Sequence, residues 1–200
     1  MYDWRKMSDD ERAEVLRIRK GRKLPWHSPP RVKYTGFVSC IFTATCYEHA
    51  PIIGKSIERL AECEQTLIEI CERTETRLSA WCVLPNQYHL LIRTKKFEEF
   101  KAEVKLFHGR TGRRFNLEDN RTSRKVWCNF FDREIKSNRH FWASLNYINH
   151  NPVKHGYVDR WQKWIFSSAA TYLENVGKDK ALENWRNFPI LDYGKGWDDF

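Results

Sequence analysis

Residues Arg77–Thr94 read RLSAWCVLPNQYHLLIRT. Two runs rich in Leu, Ile, Val and aromatic residues flank Pro85-Asn86, a dipeptide that suits a tight turn. The reading is two strands, 77–84 and 87–94, antiparallel and joined by that turn. In a strand, side chains two apart share a face. Gln87 and His89 therefore project together, while Tyr88, Leu90 and Ile92 fill the opposite face. Taken alone, this pattern suits a half-buried edge strand whose polar side meets water.

Working outward, residues 34–46, YTGFVSCIFTATC, give a first strand rich in β-branched and aromatic residues. Residues 54–75 place Ile57, Leu60, Ala61, Leu67, Ile68 and Cys71 at helical spacing. After the hairpin, Phe97, Phe100, Val104 and Phe107 step by three or four, which predicts a helix ending near Gly109 and Gly112. Arg110, Arg113 and Arg114 then fall in a turn-rich stretch. Residues 125–131, KVWCNFF, predict a fourth strand, and 133–150 a second long helix with Pro152 just past its end. The order βαββαβ implies an α+β, ferredoxin-like (RRM-like) sandwich, with an antiparallel sheet and helices on one face.

The ends read differently. Residues 1–30 form a basic N-terminal arm. In it, Ser8-Asp9-Asp10-Glu11 resembles a capped helix start, and the helix carries Arg12, Arg17, Arg19, Lys20, Arg22 and Lys23 until the prolines of LPWHSPP end it. Residues 31–172 form the main domain, with the aromatic segment 156–173 on the outside of the core. Residues 173–200 form a C-terminal extension, either docked or loose.

The 200 residues carry a net charge of +9 and are 41% hydrophobic, with a pI near 9.3. That composition supports a folded core, and the basic excess points to a polyanion, nucleic acid first. No run approaches the roughly 18–20 apolar residues of a membrane span, and the charged N-terminus lacks the apolar core of a secretory signal. Six scattered cysteines, without C-x-x-C spacing, fit reduced thiols in a cytoplasmic protein better than disulfides or a zinc site.

A second polar group sits on the helix SLNYINHNPVKHGYV. Tyr147 lies about 160° round the helix from Leu145, in a stripe with Lys136, His140, Ser144 and Asn151. It is therefore expected on the polar side, with Asn151 one turn further on. A surface tyrosine followed by a helix-ending asparagine fits the same residues.

LPNQYHLLI (84–92), VWCNFFDREI (126–135) and YINHNPVKHGYV (147–158) together resemble the REP-associated tyrosine transposases. These belong to the single-tyrosine HUH class, with an IS200-like transposase domain. The family strings look like M-P-N-H-x-H-L-L and Y-I-H-x-N-P-V-x-A-G-L-V. WHSPP and the pattern of Trp164, Ser167, Ser168 and Tyr172 are also similar, and the match spans about 34–172 in order and spacing.

The resemblance implies a metal-dependent endonuclease and strand transferase. It would cut and rejoin single-stranded DNA at REP-like hairpins through a 5′-phosphotyrosine. Tyr147 matches the nucleophile, and His89 and Asn151 match metal ligands. Gln87 stands where the first histidine of the pair is expected. An amide oxygen still suits a hard ion such as Mg2+ or Mn2+, though more weakly than imidazole at that position.

Arg110, Arg113, Arg114, Lys136, Lys154 and His155 are candidates for holding phosphates, and the basic arm for gripping a stem or its flank. Two alternatives stay open. One is a hairpin-binding module on the same scaffold, with chemistry lost through Gln87. The other is an RNA-binding sheet platform, for which no RNP-like string is present. A homodimer is left open.

Overall fold

A computed structural model of the chain describes residues 7–21, 36–128 and 130–190. The chain divides into two units, residues 1–35 with 194–200, and residues 36–193. In the first, the described residues form helix α1 (Asp9–Gly21). The expected capping box closes its start. Ser8 N donates to Glu11 Oε2 at 2.7 Å, and Glu11 N donates to Ser8 Oγ at 3.3 Å. Arg22, Lys23 and the WHSPP segment lie outside the described residues.

The second unit runs β1 (Val38–Thr45), α2 (Ile57–Arg73), β2 (Arg77–Leu84), β3 (Gln87–Thr94), α3 (Phe97–Glu118), β4 (Phe131–Glu134), α4 (Asn138–Lys154), α5 (Ala169–Val176) and α6 (Lys178–Asn187). The sheet order is β2-β3-β1-β4, and every pair is antiparallel. This is the ferredoxin-like arrangement that the order of elements implied.

β3 is an inner strand, not an edge. Seven of its eight residues are buried, all except Arg93, because both sheet faces are covered. Tyr88 faces α3, where its hydroxyl meets His108 Nε2 at 2.9 Å. His89 faces α4, with its ring 5.6 Å from that of Tyr147. The expectation of helices on one face holds for α2 and α3. α4 covers the other face.

α3 also runs on past both glycines. Its buried stripe continues from Phe107 to Thr111 and Phe115, so packing outweighs the roughly 1 kcal/mol helix cost of each glycine. A Cβ at Gly112 would meet Val126 at only 3.8 Å, an ordinary contact. Arg110, Arg113 and Arg114 are thus helical, not in a turn.

The fourth strand is displaced from 125–131 to 131–134. Residues 126–127 go into the core instead, where Trp127 stacks on His108 at 4.2 Å and its indole N–H donates to Thr111 Oγ1 at 2.9 Å. α4 begins five residues later than expected, capped by Ser137, whose Oγ accepts from His140 N at 3.1 Å. It also takes in Pro152. Pro152 gives up only the one helical bond to the Ile148 carbonyl, and the helix closes just beyond it with a Schellman motif. Tyr157 N donates to Pro152 O at 2.9 Å and Gly156 N to Val153 O at 3.0 Å, with Gly156 at φ 72°.

The hairpin turn is anchored from below. Gly54 N donates to Pro85 O at 2.9 Å, and Cys46 N to Asn86 O at 2.7 Å. The outer edge of β2 is paired with the segment after Trp164. Val83 N donates to Phe166 O at 2.9 Å and Ser168 N to Trp81 O at 3.0 Å, while Trp164 Nε1 donates to Val83 O at 2.9 Å.

The C-terminal region docks on α4 as far as residue 190. Asn146 Nδ2 donates to Phe188 O at 2.8 Å, and Trp142 stacks on Phe188 at 6.1 Å. The six cysteines are unpaired, and burial pushes the Cys46 and Cys71 thiols up to about 12.

Candidate active site

Four sequence-selected residues meet in the layer between β3 and α4. Gln87, His89, Tyr147 and Asn151 are each no more than 1% exposed. β3 supplies Gln87 and His89 on one face, two positions apart. α4 supplies Tyr147 and Asn151, one turn apart, with His155 one turn further at the helix end. His89 contacts Tyr147, and Gln87 Nε2 lies 3.1 Å from His155 Nε2. Asn151 lies between those two contacts on the same stripe of the helix.

The stripe carrying Tyr147 therefore faces inward, toward the sheet. The expectation of a solvent-facing polar side is corrected. α4 is buried almost all round because the sheet covers one side while α6 and the loop before α5 cover the other. Asn146 and Asn149 on its outer side are buried too, bonded to Asn184 and Phe188 carbonyls and to Ser168 Oγ.

Two features of this layer bear on a ligand. The first is Thr43, which sequence reasoning missed. It pairs with His89 across β1 and β3, and its Oγ1 lies 2.8 Å from His89 Nδ1. Any ligand held by this histidine would use Nε2. The second is a set of buried amide atoms. Gln87 Oε1 and both side-chain amide atoms of Asn151 have no hydrogen-bond partner among the described residues. Such atoms are costly to bury unless something else satisfies them.

Two amide oxygens and an imidazole nitrogen fit a divalent cation that accepts oxygen and nitrogen ligands. The set is neutral and holds no carboxylate. Among the described residues, no three His, Cys, Asp or Glu side chains cluster as a metal site.

The basic candidates divide. Lys154 Nζ lies 5.4 Å from the centre of the Tyr147 ring, and His155 touches Gln87, so both border the layer. Lys136 is exposed and precedes the opposite end of α4. Arg110, Arg113 and Arg114 lie on α3, across the sheet from Tyr147. Arg114 there pairs with Glu62 and Glu118. Ser168, from the motif near the C-terminus, has a structural place. Its Oγ accepts from Trp81 N at 3.0 Å, holding the β2 edge.

Comparison with known proteins agrees with this architecture. A Haemophilus influenzae protein named as a REP-associated tyrosine transposase is 27% identical over 134 residues, spanning 62% of this chain and 74% of that protein. A solved REP-associated tyrosine transposase bound to a REP hairpin shares the fold, with a TM-score of 0.51 at 20% identity, covering 70% of this chain and 82% of that one. Among the described residues, no helix is long and apolar enough to cross a membrane. The family model for IS200-like transposases matches residues 40–151, more than half of the chain, and the chain belongs to that family.

Proposed function

We propose that this transposase cleaves and rejoins single-stranded DNA at hairpin sequences, with Tyr147 as nucleophile and Mg2+ or Mn2+ held by Gln87, His89 and Asn151. The observation that carries the reading is the meeting of these four residues in one buried layer, with unsatisfied amide atoms on Gln87 and Asn151. The bound cation would polarise the scissile phosphate.

Tyr147 Oη attacks phosphorus in line with the leaving 3′ oxygen. The P–Oη bond forms as the P–O3′ bond breaks, the phenol proton passes to water, and a proton returns to the 3′ oxygen. The products are a 5′-phosphotyrosine and a 3′-hydroxyl. Attack by another 3′-hydroxyl reverses the step and joins strands. Lys154, close to the phenol ring, and His155 would meet phosphate oxygens. Lys136 and the three α3 arginines would hold DNA further from the reaction, and the basic arm would grip a stem or its flank.

A second reading is a hairpin-binding protein with weakened chemistry. It is favoured by Gln87 in place of histidine and by the burial of Tyr147, which must be uncovered before DNA can reach it. One experiment separates them. Labelled single-stranded hairpin DNA is incubated with Mn2+ and run on a denaturing gel beside Tyr147→Phe. A denaturant-resistant band from the wild-type chain, absent in the variant, supports the enzyme. Salt-sensitive binding with no such band supports the binding protein.

A further inference from the structure

We infer that His155 is a positioning residue that decides which end of the Gln87 amide is offered to a cation. The inference rests on the metal site proposed above and adds to it a residue outside the ligand set. A glutamine has two chemically opposite ends. Its oxygen can bind a cation, whereas its NH2 cannot. Nothing in the backbone of β3 chooses between them. A neighbour that only accepts takes the NH2 and leaves the oxygen for the site. A neighbour that only donates takes the oxygen and turns the NH2 inward.

His155 is placed to act as the acceptor. Its Nε2 is 3.1 Å from Gln87 Nε2, so the amide donates and the neutral imidazole accepts, with the imidazole proton on Nδ1. Gln87 Oε1 is left buried without a hydrogen-bond partner among the described residues.

The imidazole is held in place by a chain of contacts. The last helical bond, His155 N to Asn151 O at 3.1 Å, and the Schellman closure after it fix its backbone. The Tyr157 ring lies beside it at 6.3 Å and packs in turn on Trp164 at 5.4 Å. Trp164 is tied to β2 by its indole N–H on Val83 O. His155 is thus fixed to both the helix end and the sheet that carries Gln87.

The test uses the full chain and Mn2+ alone, with free Mn2+ read by electron paramagnetic resonance. His155→Gln keeps an acceptor oxygen. His155→Lys supplies only donors. The expected order is affinity within about threefold of wild type for His155→Gln and a loss of about tenfold or more for His155→Lys, the range seen when an outer partner of a metal ligand is removed. A purely structural role would make both variants weaken binding in step with their loss of thermal stability, and that result overturns the inference. If the wild-type chain does not bind Mn2+, the metal reading itself falls and takes this inference with it.

A metal-free measurement stands beside these, in case His155→Lys does not fold. In the wild-type chain, nitrogen-15 spectra of the imidazole should show Nε2 unprotonated and in contact with the Gln87 side-chain NH2. A protonated Nε2 in the neutral ring overturns the assignment.

Discussion

Thr43 Oγ1 and His89 Nδ1 lie 2.8 Å apart across neighbouring strands, in register as direct partners. The hydroxyl fixes the ring of the one histidine in the proposed ligand set. Thr43→Val keeps the shape and removes the bond. Mn2+ affinity is expected to fall about tenfold or more, with a stability loss of about 1–3 kcal/mol for the polar atom left unsatisfied. A Mn2+ titration and a urea melt on the same variant check both figures.

On the other face of β3, burial holds His108 down at about 3, in contact with the Tyr88 hydroxyl. The unfolded chain takes up this proton near pH 6.5 and the folded chain does not. The unfolded state therefore binds more protons between about pH 6.5 and 3, and stability must fall as pH drops through that window, by up to about 1.4 kcal/mol per pH unit from this group. His108→Gln keeps an acceptor for Tyr88 and removes the titration. Urea melts from pH 7 to 4 should show a shallower slope in the variant.

Arg59 Nη2 lies 2.7 Å from Asp119 Oδ1, and Lys55 and Arg124 reach the other oxygen of the same carboxylate. The Arg59 hydrogen bonds hold the Asp119 carboxyl well below the usual carboxylate range, with Lys55 and Arg124 adding to them. A depressed carboxylate stabilises above its unfolded value near 3.9, and that contribution is lost as pH falls below it. Asp119→Asn leaves the buried Arg59 undercompensated. The expected cost is about 3–5 kcal/mol at neutral pH, and it begins to shrink only as pH falls below about 3.9. Chemical denaturation at pH 7 and pH 3 should show a large cost at both, modestly smaller at pH 3.

A Cβ at Gly54 would sit 2.3 Å from Pro85 Cβ and 2.8 Å from Pro85 Cα. The obstacle is the hairpin turn itself, so it cannot swing aside as a side-chain tip can. Gly54→Ala should cost about 1–3 kcal/mol through overpacking. It should also disturb Gln87, which directly follows the turn. Amide chemical shifts should change most around residues 85–89.

The hairpin was fully legible in the sequence, with both strands ending where the Pro-Asn turn implied, because short apolar runs and a turn dipeptide act locally. The pairing of Gln87 with His89 on one face followed from period two. The grouping of Tyr147 with Asn151 followed from period 3.6. The direction of that stripe did not. A helical wheel assumes one wet side, and α4 has none along most of its length because α6 returns to cover it.

Gly109 and Gly112 misled for a related reason. Their cost is local and small, whereas the stripe through Thr111 and Phe115 is buried by distant segments. Thr43 gave no signal at all. A threonine in a strand is ordinary until its cross-strand partner is known.

One consequence concerns how copies of this protein can meet. The segment through Phe166 and Ser168 occupies the hydrogen-bonding edge of β2, so that margin of the sheet offers no template to another strand. The opposite margin is β4, four residues long with Asp132, Arg133 and Glu134 among them. A short, charged edge resists strand addition. Among the described residues, β4 is the margin through which a second copy could continue the sheet, and its shortness and charge act against such a joint.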